Sequence, residues 1–157
     1  SASPVLLLSG AANNAFSAQT SEPEFEKILI PLSSAPEFTF TVPMKSRAWF
    51  YLPTSKNIKD DFSSAAQMII SDQGCALGHQ VSITYEKTSN EILTAYFPKE
   101  IPWGTTYKLA ISRDVKTNTV TFVLNGETLS IKPYKKAKFI YLIKDPETIN
   151  ILDIKQY

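Results

Sequence analysis

The chain is poorest in the residues that make covalent and metal chemistry easy. It carries one cysteine, Cys75, and one histidine, His79, in 157 residues. A lone thiol excludes an intrachain disulfide and any cysteine-based metal site. Cys75 reads as a free buried thiol. A Cys/His nucleophile pair also needs an orienting third group, and CALGHQ (75–80) offers only a Gly-containing turn. No apolar run approaches the ~20 residues that cross a membrane, so no membrane insertion is expected. The opening SASPVLLLSGAA has no basic start. Its apolar stretch, Val5 to Leu8, is shorter than the roughly 7–15 residues of a signal-peptide core. The formal net charge is only +1, without the basic excess of a dedicated nucleic-acid binder.

What is present is a folded, apolar-rich chain, 43% hydrophobic and 20% charged. Its length suits one domain with a real core, residues 1–157 as a single unit. No repeat, low-complexity tract or internal linker interrupts it. The charge is uneven: from Arg113 to Tyr157 there are eight basic and five acidic residues. Four of those lysines fall in KPYKKAK, Lys132 to Lys138. Such a run is either a solvated edge, where lysine also blocks strand-to-strand aggregation, or a docking site for an anionic partner.

Alternation with a period of two dominates. Phe38, Phe40 and Val42 alternate with threonines; Tyr107, Leu109 and Ile111, and then Val120, Phe122 and Leu124, repeat the pattern. Phe139, Tyr141 and Ile143 share one face, as do Ile149, Ile151 and Asp153. Bulky apolar residues on one face are how a strand buries one side in a sandwich. Further strands are expected at 26–32, 47–52, 66–71, 80–86 and 92–97. Prolines and TSN, KTN and KDPE segments separate them. About a dozen short strands predict an antiparallel sandwich or barrel. DDFSSAAQMI (60–69) is the one helical candidate, with acidic residues at its start, so at most one short helix is expected. Asn125-Gly126, inside VTFVLNGETLSI, predicts a type I′ hairpin, whose two central residues both need φ > 0.

IPWGTTYKLAISRDVKTNTVTFVLNGE (101–127) resembles the recurrent strand pair of laminin-G and concanavalin A-like domains. There a Gly-x-aromatic opens a strand ending in RD, and the next strand ends in VNGE. EFTFTVPMKSRAWFYLPTSK, AQMIISD, VSITYEKTSNEILTAYF and ETINILDIKQY resemble that family's other strands, in order, over Glu24 to Tyr157. VLNGETLSIKPY followed by INILDIKQY is also similar to the galectin tail. The resemblance implies a single-domain antiparallel two-sheet β-sandwich, a concanavalin A-like jelly roll. It implies a glycan-binding or adhesion module, extracellular or surface-exposed, whose partner is a glycan or glycoprotein on a cell surface, or another protein. The alternative is a laminin-G-type protein-interaction or structural domain. The galectin His-x-Asn-Pro-Arg signature is absent, which argues against β-galactoside binding. The Glu-x-Asp-x-x-Glu of related glucanases is absent too: Glu22, Glu24 and Glu26, and Asp60 and Asp61, have other spacings, so no enzyme is expected. Nothing resembles the acidic, Asn-rich metal loop of legume lectins, so no metal and no cofactor is expected.

Sugars are recognised by aromatic stacking and by convergent polar groups. Trp103, between Pro102 and Gly104 just before a strand, is the leading ligand candidate; otherwise it folds over the open end of the sandwich. Trp49, on a strand, reads as core. Arg47 falls on the Trp49 side of that strand, where it needs a partner or water. Tyr134, among lysines, suits an anionic sugar or an amphipathic edge. His79 reports pH, or holds a hydroxyl, or is a loop histidine without a role. Asn125 is a turn residue, and a ligand residue only if its side chain faces a neighbouring loop.

Overall fold

A computed structural model describes residues 25–58, 64–72 and 77–157, together with two backbone dipeptides, β1 (Ser9–Gly10) and β2 (Ala12–Asn13), that pair with each other. Cys75 and the first residues of DDFSSAAQMI lie outside these described residues. Two antiparallel sheets follow from the alternating segments. The first contains β4 (Glu37–Thr41), β10 (Tyr107–Asp114), β11 (Thr119–Leu124), β12 (Glu127–Ile131) and β14 (Asn150–Lys155), in the order β12-β11-β10-β4-β14. The second contains β3 (Glu26–Pro31), β5 (Ala48–Pro53), β6 (Ser64–Ser71), β7 (Gly78–Thr88), β8 (Glu91–Tyr96) and β13 (Phe139–Lys144). Its order is β3-β13-β5-β6-β7-β8, with the short β9 (Ile101–Pro102) paired to β7. The one helical element among the described residues is a 3-10 turn, Leu32–Ser34.

The core lies between the sheets. Phe38 and Phe40 of β4 meet Phe50 of β5, with ring centroids 5.3 Å apart in both pairs. Phe40 also stacks on Tyr107 of β10 at 5.0 Å and 9°. Each such pair adds about 0.5–1.5 kcal/mol to the burial of the rings themselves. Met68, Ile70, Val81, Ile83, Ile140 and Leu142 complete the inner face of the second sheet, all buried.

Several strands confirm the alternation, and others correct it. The hairpin between β11 and β12 has Asn125 at φ +47 and Gly126 at φ +85, the two positive values that a type I′ turn requires. Its register pairs Leu124 with Glu127, so Val120, Phe122 and Leu124 go inward together. The helical candidate is instead strand from Ser64 onward, because MIIS is β-branched and pairs on both sides, with β5 and β7. On β14 the expected shared face of Ile149, Ile151 and Asp153 is broken by a bulge. Ile151 pairs with Phe40 and Asp153 with Thr39, so the extra residue returns Ile154, rather than Asp153, to the core side. On β13 it is Ile140 and Leu142 that face the core, while Phe139, Tyr141 and Ile143 face out. Trp49, expected in the core, also faces out, since Ala48, Phe50 and Leu52 occupy the inner positions of β5.

Candidate functional site

The outward residues of β13 and β5 make the outer face of the second sheet unusually aromatic. Register aligns them into a continuous row. Tyr141 pairs with Leu29 on one side and Tyr51 on the other; Tyr51 pairs with Gln67, Gln67 with Thr84, and Thr84 with Thr94. Directly paired residues point to the same face, so this row crosses all six strands, roughly 24 Å at ~4.8 Å per strand. It is apolar at the β3 end and polar at the β8 end. A second row runs Trp49–Ile69–Ser82–Tyr96.

Two depressions open on this face and share Tyr51. The first, about 220 Å³, is lined by Phe25, Ala48, Trp49, Tyr51, Ile143, Asp145, Thr148 and Ile149. The second, about 340 Å³, is lined by Tyr51, Ser64, Ala65, Ala66, Gln67, Thr84, Tyr85, Glu86 and Ile92. Tyr51 and Tyr141 hold each other with ring centroids 6.2 Å apart. Burial, and then the Tyr141 hydroxyl, push the Tyr51 pKa up. Its hydroxyl therefore stays neutral and can both donate and accept. Thr84 and Thr94 share a hydroxyl hydrogen bond of 3.1 Å. Glu86 is fixed by Lys135, 3.7 Å away.

None of the five residues singled out from the sequence lines either depression. Four of them gather at one end of the sandwich instead. His79 starts β7, pairs with Ile101 and is 1% exposed on the core side. Its Nδ1 lies 3.2 Å from the Tyr107 hydroxyl, and its Nε2 is buried without a hydrogen-bond partner among the described residues. Burial pulls its pKa down, against weaker upward pulls from Asp72 and from the backbone of Pro43 and Ser46. The expected loop histidine is thus a buried, neutral ring that closes the end of the core. Trp103 sits in the turn after β9; its backbone N–H donates to the Leu77 carbonyl at 3.0 Å, and its indole Nε1 is buried without a hydrogen-bond partner among the described residues. Arg47 is exposed and pairs at 4.0 Å with Asp72. Asn125 accepts the Lys108 N–H at 2.7 Å, so its side chain serves the turn. It also borders a smaller cavity of about 180 Å³ with Ile101, Pro102 and Thr105. Tyr134 is elsewhere. Its N–H donates to the Glu86 carbonyl, and Glu86 lies seven residues along β7 from His79, roughly 23 Å at ~3.3 Å per residue. Its ring is 58% exposed.

Trp49, Tyr51 and Tyr141 are the residues that sequence reading missed. A signal for them existed. β5 (AWFYLP) and β13 (FIYLIK) are bulky on both alternations, and a strand in a two-layer sandwich can cover only one face. Where both faces are apolar, one of them forms an exposed patch. Among the described residues no group of three His, Cys, Asp or Glu side chains is placed to hold a metal, and no helix is long and apolar enough to cross a membrane.

This architecture is the concanavalin A-like lectin fold, in the form that galectins share. A tetrameric galectin from the ball sponge Cinachyrella sp. superposes with a TM-score of 0.55 at 17% identity, covering 85% of this chain and 99% of the other. Congerin II, solved with lactose and MES, gives 0.57 at 17% identity, with 85% and 100% covered. Sheep galectin-11, solved with glycerol, gives 0.54 at 12% identity, with 87% and 100% covered. At these identities the likeness is one of fold. No family model and no curated protein matches the sequence.

Proposed function

We propose that this chain is a single-domain, non-catalytic glycan-binding module, extracellular or surface-exposed, that meets a glycan or glycoprotein through the outer face of its second sheet. The observation that carries the reading is the Leu29–Tyr141–Tyr51–Gln67–Thr84–Thr94 row with its two depressions. Aromatic rings at Trp49 and Tyr51 offer flat apolar surfaces for sugar ring faces. Gln67, Thr84, Thr94 and Glu86 offer the convergent donors and acceptors that hydroxyls need. The lectin fold supports the same reading, since one neighbour of this fold was solved with lactose. Glu86 is the one carboxylate among the described residues lining the second depression, and Lys135 is bound to it. Acid–nucleophile hydrolysis of a glycoside uses two facing carboxylates, so the lining supports binding rather than cleavage. The absent galectin signature favours a ligand other than a β-galactoside.

One observation favours a second reading, a laminin-G-type protein-interaction surface. Trp49, Ile143, Ile92 and Tyr96 are all exposed on this face, and clustered exposed apolar side chains mark protein contacts.

A glycan array probed with the chain and with its Trp49→Ala and Trp103→Ala variants decides among these. Binding lost with Trp49→Ala and kept with Trp103→Ala is expected. The reverse pattern moves the site to the Trp103 end, and silence on every glycan sinks the lectin reading.

A further inference from the structure

A further cavity shares no lining residue with the two depressions, and its chemistry is cationic. About 260 Å³ in volume, it is lined by Pro31, Ser33, Arg113, Val115, Lys138 and Phe139. The Arg113 guanidinium is oriented by a side-chain hydrogen bond, and Lys138 is anchored through its backbone. Arg113 Nη1 donates to Asn118 Oδ1 at 3.1 Å, a neutral acceptor that leaves the guanidinium charge uncancelled. Asn118, at φ +55, donates its Nδ2 to the carbonyls of Pro133 at 3.0 Å and Lys135 at 2.8 Å. One amide therefore orients the guanidinium and straps the KPYKKAK segment against the β10–β11 turn. Lys138 is pinned through its backbone: its N–H donates to the Pro53 carbonyl at 3.0 Å, and its carbonyl accepts the Leu32 N–H at 2.9 Å.

Among the described residues no carboxylate pairs with Arg113 or Lys138. Residues 113–118 and 132–138 hold six cations, Arg113, Lys116, Lys132, Lys135, Lys136 and Lys138, against one acid, Asp114. Asp114 accepts the Lys116 N–H at 2.9 Å, and Glu86 is taken by Lys135. Both cations line one cavity without a carboxylate partner among the described residues, so an anion between them gains from both charges. The guanidinium fork keeps N–H groups for a bidentate contact with two oxygens of one group. Phe139 and Pro31 supply an apolar wall on which a sugar ring can lie.

We propose that this cavity binds an oxyanion carried on a sugar, a sulfate ester or a uronic carboxylate. The site shares no residue with the two depressions and stands whether or not neutral glycans bind in them.

The test is titration calorimetry at low salt, where exposed charges are least screened. The probes are a heparin-derived tetrasaccharide, its desulfated counterpart, maltotetraose and inorganic sulfate. The heparin tetrasaccharide is expected to bind, the desulfated one more weakly, and any maltotetraose binding to be unaffected by Lys138→Glu. Lys138→Glu, an exposed change that leaves the backbone bonds intact, should weaken the tetrasaccharide about tenfold or more, the scale of one charge-assisted contact. Arg113→Lys keeps the charge, loses the fork and should weaken it too, with thermal unfolding confirming that both variants fold. Trp49→Ala should leave the affinity unchanged. Equal affinity of the wild type and Lys138→Glu for the tetrasaccharide would overturn the site. Inorganic sulfate binding as tightly as the tetrasaccharide would overturn the role of the sugar.

Discussion

Trp49 and Phe50 are neighbours on β5 that point to opposite faces, and truncating each to alanine tests which face the fold closes. Phe50 is fully buried, with its ring 5.3 Å from those of both Phe38 and Phe40 on the opposing sheet. Removing such a ring costs about 3–5 kcal/mol, the lost transfer free energy plus a cavity that rigid neighbours cannot close. Contacts with two rings held by another strand leave little room for collapse, so the upper half of that range is expected. At ~0.05–0.15 kcal/mol per residue a chain of 157 residues holds roughly 8–24 kcal/mol. Phe50→Ala should therefore still fold, with Tm lowered by roughly 8–20 °C at about 2–4 °C per kcal/mol. Trp49 is 37% exposed. Its removal opens no closed cavity because water fills the space, and the cost should stay below ~2 kcal/mol. Urea unfolding followed by circular dichroism gives both values as the shift in midpoint at constant m. A Trp49→Ala cost equal to or above that of Phe50→Ala would refute the assignment of faces, and with it the proposed site.

Two further outcomes follow from the Trp103 end of the sandwich. A Cβ on Gly78 would lie 2.1 Å from the Ile101 carbonyl oxygen, a backbone atom that cannot yield without breaking the β7–β9 pairing. Gly78→Ala should therefore cost about 1–3 kcal/mol or more in urea unfolding, and a neutral result would show that β9 is not seated on β7. His79 has its pKa depressed by burial, so the unfolded chain binds its proton more readily. Stability is then fully present above the unfolded value of ~6.5 and is lost as pH falls through the folded value. Urea midpoints should drop below about pH 6.5 in the wild type by more than in His79→Gln; parallel pH profiles for the two proteins would contradict the buried neutral ring.

Much of the fold is legible in the residues. Alternation located the strands because a pleated strand presents successive side chains to opposite sides. Asn125-Gly126 located a hairpin because few residue pairs tolerate two positive φ angles. The helical candidate is described only from Ser64 onward, where it is strand, because pairing with β5 and β7 outweighs a short apolar stripe. The faces of β5 and β13 were not legible, since both alternations are bulky in each. The bulge in β14 was invisible for a related reason: one extra residue shifts the period without leaving a mark in composition. The five site candidates stand out in the sequence by residue type and loop position, but the fold commits them to other partners: at one end His79 enters the core, Asn125 takes the Lys108 N–H of β10 and Arg47 pairs with Asp72, while Tyr134 lies some 23 Å along the sheet, at ~3.3 Å per residue of β7.

By itself, then, the order of residues determined an antiparallel all-β chain of about a dozen strands, the position of its tightest turn, and the exclusion of an intrachain disulfide. Those properties are local or compositional, carried by neighbours in the chain. Which face of each strand looks inward was decided only when the second sheet closed over the first. The partners across each strand were decided at the same step. Tyr141 comes to lie beside Tyr51, and Arg113 to share a cavity with Lys138, through sheet order and the strap held by Asn118. Both candidate sites are made of such long-range neighbours, because recognition needs side chains that converge in space, and convergence is a property of packing rather than of spacing along the chain.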